Sequence, residues 1–185
     1  MLKEILEDTE IGMEKSLGAL DVAFKKIRTG RATPSLLDSI KVNYYDKLTP
    51  LAQVASISIE DAKTLAISPW EKGIVQEIEK AISESELGLN PATSSETIRV
   101  ILPDLTEETR RDFIKKAKAE AENAKVSVRN VRRDGNSQLK DFLKEKEISE
   151  DEERQGEEEI QKLTDLFVEK VDAALEAKEK DLLDF

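Results

Sequence analysis

Three stretches of this chain carry apolar residues at three- and four-residue spacing, and a block with a different pattern separates the first stretch from the other two. The first covers residues 6–27, the second residues 106–144, and the third begins near residue 149 and ends near Leu182. Narrow apolar seams of this kind predict long helices that pack side by side. The first helix is expected to end at about Gly30, because glycine readily adopts the left-handed conformation that commonly terminates a helix.

The block between the first and second stretches follows the period of a β-strand. From residue 31 to residue 103 apolar and polar residues alternate, as at Ile40 and Val42, which is typical of half-buried strands. A short amphipathic helix is predicted at about residues 74–82, and a last strand at residues 97–102. The block is therefore predicted to be a small domain that is rich in β-structure and contains one helix.

These patterns predict a domain that is discontinuous in sequence. The three narrow seams can be buried only against one another, so residues 1–29 and 105–185 are predicted to form one bundle, with residues 31–103 as an inserted domain. The two connections then run side by side and are expected to act as a two-stranded hinge. The predicted hinge residues are Thr29, Gly30, Arg31, Ala32, Leu102, Pro103, Asp104 and Leu105.

The chain contains neither cysteine nor histidine, which excludes several classes of site. Disulfides and thiolate metal sites need cysteine, and histidine-dependent triads and histidine-bound metals need histidine. The N-terminus lacks the continuous apolar run of a signal peptide, and no segment is apolar enough to span a bilayer. A cytoplasmic protein without a bound metal is therefore expected.

The second predicted long helix carries two neighbouring rows of cations, although the whole chain has a net charge of -11. The row beside the apolar seam, called here the seam row, contains Arg111, Lys118, Lys125 and Arg132 at intervals of seven residues. The adjoining outer row contains Lys115, Arg129 and Arg133. Together they form a stripe roughly 33 Å long at ~1.5 Å per residue, which suits a phosphate backbone. The alternative is that these cations only pair with acids on neighbouring helices.

A second cationic cluster follows the first predicted helix and contains Lys25, Lys26, Arg28 and Arg31. Cations near a helix C-terminus are also favoured by the helix dipole alone. Both interpretations, anion binding and a dipole effect, therefore remain open for this cluster.

Four separated strings of the sequence resemble the bacterial ribosome recycling factor family. They are KIRTGRATPSLL at residues 26–37, LGLNP at 87–91, VRNVRRD at 128–134 and KEISED at 146–151. The strings occur in the family's order and cover essentially the whole chain.

The resemblance implies an α+β fold with two domains, a long antiparallel three-helix bundle and an inserted small β/α/β domain, in a roughly tRNA-like L shape. It also implies a monomer that binds the post-termination ribosome and acts with elongation factor G and GTP, without bond chemistry or a cofactor of its own. Together with the cationic rows, it predicts that large-subunit ribosomal RNA is contacted by Arg132, Arg129, Arg133, Arg28, Arg31, Lys125, Lys118 and Arg111.

The chain departs from the family pattern at two positions. Ile101 stands where the family commonly has a proline, and this is expected to change how the last strand leads into the hinge. Gly135 stands where alanine is frequent and is expected to soften the helix beside the basic motif. Neither departure replaces an arginine that is predicted to contact RNA.

Two other function classes are compatible with parts of the sequence. A scaffold protein that binds helices of a partner would explain the seams but would leave the inserted domain and the one-sided cations without a role. An enzyme that uses carboxylates would have Glu60 and Asp61 as candidates, but these adjacent acids are more typical of a solvated turn. Trp70 is expected to be a packing residue rather than a stacking platform.

Overall fold

The computed structural model describes residues 1–184, and the chain divides into two compact units. The first, called here the bundle unit, contains Met1–Ile27 and Arg111–Lys180. The second, called the sheet unit, contains Arg28–Arg110 and the residues from Asp181 onward. Both helices and strands are present, so the predicted α+β class is confirmed.

The helices and strands are numbered in chain order. The helices are α1 (Leu2–Lys25), α2 (Val75–Ser83), α3 (Glu107–Lys144) and α4 (Glu150–Asp184). The strands are β1 (Lys41–Tyr44), β2 (Lys47–Pro50), β3 (Ala55–Asp61), β4 (Thr64–Pro69), β5 (Pro91–Ser94) and β6 (Thr97–Ile101). No helix among residues 1–184 has a stretch long and apolar enough to cross a membrane.

The bundle unit is held together by apolar residues from all three long helices. Met13, Val128 and Phe167 form one buried cluster, with one residue from each of α1, α3 and α4. Helices α1 and α3 run antiparallel, since the hydroxyl groups of Ser16 and Ser127 lie 2.7 Å apart while Thr9 meets Gly135. Burial of each large apolar side chain contributes about 1.5–3 kcal/mol, so these seams supply much of the stability of the bundle.

The start of α4 has the local structure that its sequence predicts. The backbone N–H of Glu152 donates to the Ser149 hydroxyl at 3.2 Å, and the backbone N–H of Ser149 donates to the Glu152 carboxylate at 2.8 Å. This reciprocal pair is a capping box, which satisfies two backbone donors at the helix N-terminus. The predicted start of the third long helix is therefore confirmed.

The prediction that Gly30 terminates the first helix is wrong. Helix α1 ends at Lys25, and the φ angle of Gly30 does not lie in the left-handed region. Helix α3 continues through Gly135 to Lys144 without a break, in agreement with the predicted helical stretch. Gly135 is buried against α1 and α4, where an added Cβ would lie 2.8 Å from Thr9 Oγ1 and 3.0 Å from Ile160 Cδ1.

The sheet unit contains two antiparallel sheets around one apolar core. Strands β1 and β2 form a hairpin, and the other four strands form a sheet in the order β3-β4-β6-β5. The core contains Leu37, Leu65, Ile67 and Ile98 from the loops and sheets, and α2 contributes Ile78. The sequence pattern did not separate β2 and β5 as strands, because each has only four residues and few apolar ones.

We expect Gly135→Ala to lower the free energy of unfolding by about 1–2 kcal/mol, because the clash with Thr9 outweighs the gain of about 1 kcal/mol in helix propensity. In a Thr9→Ala background the Thr9 atoms are absent and only the flexible end of Ile160 remains close, so the same substitution should destabilise the protein less. Urea denaturation of the four proteins in a double-mutant cycle measures this coupling. Equal destabilisation in both backgrounds would contradict the proposed contact.

Candidate nucleic-acid interface

The seam row of α3 faces the acids of α4. The Lys125 ammonium lies 2.5 Å from the Asp172 carboxylate, and the Lys118 ammonium lies 4.0 Å from that of Glu179. Arg111, at the start of the row, is exposed but also has a contact. The pairing interpretation of the sequence therefore fits the seam row at Lys118 and Lys125, whose charges serve packing of the antiparallel helices α3 and α4.

Spacing on α4 explains this pairing. Asp165, Asp172 and Glu179 recur every seven residues, so they occupy one line along the helix, as the cations of the seam row do on α3. The seven-residue spacing of these acids is visible in the sequence. The spacing alone does not show that the acids face the cations of the seam row. Glu179 Oε1 is nevertheless buried without a hydrogen bond, because Lys118 is beyond hydrogen-bond distance.

Arg132 differs from the lysines of its row because its nearest partner is neutral. One guanidinium nitrogen donates to Gln161 Oε1 at 3.3 Å, and the Gln161 amide donates in turn to Asp165 at 2.9 Å. Arg132 is half-buried, so its guanidinium is oriented by an amide while its charge has no carboxylate in direct contact. Gln161 could not be identified from the sequence, since a glutamine on a solvated helix face carries no recognisable signal.

The outer row is open to solvent. Arg129 is exposed, and its only ion pair within residues 1–184 is with Glu122 of the same helix at 3.6 Å. Lys115 and Arg133 are exposed and have no hydrogen bond or ion pair within that range. With Arg132, the outer-row arginines therefore form a cationic cluster within just over one turn of α3, called here the arginine cluster: Arg129, Arg132 and Arg133.

Arg28 and Arg31 belong to the sheet unit. The Arg28 guanidinium donates to the Pro103 carbonyl at 3.4 Å, and partial burial lowers its pKa from the usual value. The Arg31 guanidinium lies 3.9 Å from the Asp181 carboxylate, and Arg31 remains exposed. Both arginines thus contact residues of the sheet unit itself.

The predicted hinge residues all lie within the sheet unit, and two of them are fixed to the turn between β3 and β4. The Ala32 N–H donates to the Ala62 carbonyl at 2.8 Å, and the Leu102 N–H donates to the Lys63 carbonyl at 2.8 Å. The Lys63 ammonium also pairs with Asp104, and this contact lowers the pKa of the Asp104 carboxyl group. Both connecting segments are therefore attached to one turn.

The candidate enzyme residues have structural roles in the same region. The Glu60 carboxylate pairs with Arg99 at 2.9 Å, and Asp61 Oδ1 accepts the backbone N–H of Lys63 at 2.9 Å. Asp61 thus stabilises its own turn, as the sequence pattern indicates. Within residues 1–184 no three acids are grouped closely enough to hold a metal ion.

The chain matches one family over most of its length. The ribosome recycling factor family matches residues 20–183. A ribosome-recycling factor of Marinomonas sp. (strain MWYL1) is 58% identical over 184 residues, with 100% of both chains covered. One of Saccharophagus degradans is 56% identical over 184 residues, again with 100% of both chains covered.

Two solved structures have the same fold. A solution structure of a ribosome recycling factor superposes with a TM-score of 0.79 at 38% identity, covering 100% of this chain and 98% of that one. The T. thermophilus ribosome recycling factor, in a structure with E. coli elongation factor G bound to the E. coli post-termination complex, gives a TM-score of 0.70 at 42% identity, with 99% of each chain covered.

We expect Lys125→Ala to lower the free energy of unfolding by about 0.5–1 kcal/mol, because it removes an ion pair whose lysine is largely shielded from water. Arg133→Ala should change it by less than about 0.5 kcal/mol, since this side chain is exposed and unpaired. Urea denaturation at low and high salt tests both values. A loss for Arg133→Ala as large as that for Lys125→Ala would show that the two rows do not differ in this way.

Proposed function

This chain belongs to the ribosome recycling factor family, and we propose that it binds the post-termination ribosome and, with elongation factor G and GTP, promotes separation of the subunits. Messenger RNA and deacylated transfer RNA are then released. The protein acts as a binding factor, and the hydrolysis of GTP belongs to elongation factor G. The relative that is bound to the post-termination complex together with elongation factor G supports this assignment.

The arginine cluster supports binding to ribosomal RNA of the large subunit. Arginine presents a planar fork of donors that matches the geometry of a phosphate, and each such bond is charge-assisted. Gln161 orients Arg132 without neutralising it, so less side-chain freedom is lost when a phosphate takes the exposed face of the guanidinium. The outer row extends this surface to Lys115, and Arg28 and Arg31 are proposed as further contacts.

The seam-row lysines have a secondary part in this proposal. Lys118 and Lys125 already face carboxylates of α4, so a phosphate would have to compete with those acids for them. They contribute to the local positive potential and keep α3 in register with α4. The RNA contacts of highest energy are therefore assigned to Arg129, Arg132 and Arg133.

We propose that hinge rotation occurs in the residues that lie between the bundle unit and the two anchored residues, Ala32 and Leu102. Ala32 and Leu102 are bonded to the turn between β3 and β4, so rotation there would break backbone hydrogen bonds. Thr29, Gly30 and Arg31 on one connection, and Pro103, Asp104 and Leu105 on the other, lie outside those bonds. We infer that the change in backbone angles during subunit separation is concentrated in these two short segments.

We expect Arg132→Ala to weaken ribosome binding by about 1–3 kcal/mol, which is the value of a lost charge-assisted hydrogen bond. The slope of log affinity against log salt should also fall by about one, since one phosphate contact is removed. Binding to purified ribosomes at several salt concentrations measures both quantities.

Arg154→Ala is the matched control, because Arg154 is an exposed arginine near the acidic start of α4 and has no ion pair or hydrogen bond within residues 1–184. It should leave both the affinity and the salt slope unchanged. If Arg132→Ala behaved like this control, the arginine cluster would not be the RNA-binding surface. Binding that is insensitive to salt would favour a scaffold protein instead.

We expect Gly30→Pro to slow subunit separation more than it weakens binding, because the proline ring fixes φ and stiffens the connection. Gly30→Ala is the control, since it adds a side chain without a ring. Light scattering with elongation factor G and GTP follows the separation, and ribosome affinity is measured in parallel. Separation at the normal rate by a folded Gly30→Pro protein would remove hinge rotation at this position from the proposal.

A further inference from the structure

Both tyrosines and the only tryptophan of the chain lie in one part of the sheet unit, although aromatic residues make up only 4% of the sequence. Tyr45 and Trp70 are among the most exposed apolar side chains, at 79% and 66% of their full surface. Trp70 directly precedes Glu71, whose carboxylate contacts both tyrosines. Trp70 is therefore an exposed residue and not part of a core. Both tyrosines and Trp70 thus belong to one surface region of the sheet unit.

Both tyrosines and Glu71 line an open cavity of about 340 Å³, called here the tyrosine cup. Its other lining residues include Ile74, Asp46 and Glu77. All the charged residues that line the cavity are therefore carboxylates. Its size falls at the lower end of the range for ligand pockets, and its acidic lining favours a cationic group.

The two tyrosines and Glu71 hold one another in place. The Tyr44 hydroxyl donates to Glu71 Oε1 at 2.6 Å, and the Tyr45 hydroxyl donates to Glu71 Oε2 at 3.2 Å. The two rings meet edge to face with their centroids 4.5 Å apart. The hydrogen bonds to Glu71 raise the pKa of Tyr44 to about 12 and also raise the pKa of Tyr45, so both phenols stay neutral donors.

The carboxylate of Glu71 has acceptor capacity left. A carboxylate offers about four lone-pair sites, of which the two phenols use one on each oxygen. A donor that approaches from the cavity can therefore reach both oxygens at once. A planar fork of N–H groups is the donor that fits such a pair of oxygens best.

The turn that carries Tyr45 has positive φ angles. Tyr45 and Asp46, between β1 and β2, have φ angles of 49° and 62°. Glycine, asparagine and aspartate tolerate this region, whereas tyrosine is uncommon there. Tyr45 therefore lowers the stability of the turn, and asparagine at this position is expected to raise it.

We propose that the tyrosine cup binds the guanidinium group of an arginine that is presented by a basic segment of a partner protein. The guanidinium stacks on the exposed ring of Tyr45, donates to Glu71 and is neutralised by Asp46 and Glu77. Leu48, which is exposed opposite Asn43 in the hairpin, and Trp70 supply apolar contact area for the rest of the segment. A polyanion such as RNA is excluded by the three carboxylates.

The cup lies in the sheet unit and uses none of the residues assigned to ribosomal RNA, so its test needs no ribosome. The full-length chain is titrated with three probes: a peptide of alternating glycine and arginine, the same peptide with lysine, and an RNA hexanucleotide. Calorimetry gives the affinity, and amide chemical shifts of Tyr44, Tyr45 and Glu71 locate the binding. The arginine peptide is expected to bind at the cup more tightly than the lysine peptide.

Three variants connect the binding to the cup. Glu71→Gln should weaken binding of the arginine peptide roughly tenfold or more, the effect of losing one charged hydrogen-bond partner. Tyr45→Asn should also weaken binding while it raises the urea midpoint, because asparagine tolerates a positive φ. Glu86→Gln removes the same charge from an exposed site outside the cup and should change nothing.

The proposal is overturned by any of four results. These are no binding of the arginine peptide at the cup, equally tight binding of the lysine peptide, binding of the RNA at the same residues, and an equal loss of affinity in Glu86→Gln. Because Tyr45→Asn is expected to be more stable than the parent, loss of binding in that variant does not come from unfolding.

Discussion

The bundle unit depends on close packing of helices that precede and follow the main segment of the sheet unit in the sequence. Met13 on α1 can be buried only by Val128 and Phe167, which are more than a hundred residues later in the chain. Glycines allow the helices to come this close: at Gly156 an added Cβ would meet Leu139 side-chain atoms at 2.9 Å. These contacts support α3, which carries the arginine cluster, along its length.

The distribution of charge reconciles an acidic protein with the proposed affinity for a polyanion. The net charge of -11 includes the acids of α4, some of which face the seam row and neutralise it. In the outer row, Lys115 and Arg133 have no ion pair within residues 1–184, and Arg129 pairs only with Glu122 of its own helix. The Arg132 guanidinium contacts an amide. Because Coulomb interactions between exposed groups are screened beyond about 8–10 Å at physiological salt, a phosphate close to the arginines responds mainly to this local cluster.

Much of the fold could be predicted from the sequence because its strongest patterns are long. The seams of α1, α3 and α4 repeat over many turns, and the Ser149–Glu152 capping box marks where α4 begins. Strands β2 and β5 were missed because they contain too few apolar residues for a period-two pattern to emerge. Helix propensity alone does not describe Gly135, because the two helices packed against it also decide which residue fits there.

The candidate site was also only partly predictable from the sequence. The cationic rows of α3 were visible as spacing, but which row is paired depends on the neighbour across the interface, and that required the structure to align Lys125 with Asp172. The tyrosine cup could not have been found from the sequence, because Tyr44 and Glu71 are 27 positions apart and belong to different elements. Only contact in the folded chain makes them one site.

The interrupted order of the bundle has a consequence for how the protein is made. The main segment of the sheet unit, Arg28–Arg110, is complete when about three-fifths of the polypeptide has been synthesised, whereas α1 has no partner until α3 and α4 follow. At a synthesis rate of about 5–20 residues per second, the apolar residues of α1 stay without their packing partners for several seconds. The nascent chain therefore passes through a stage with one finished domain and one unshielded helix, and this is the stage at which a chaperone or an aggregating neighbour would meet it.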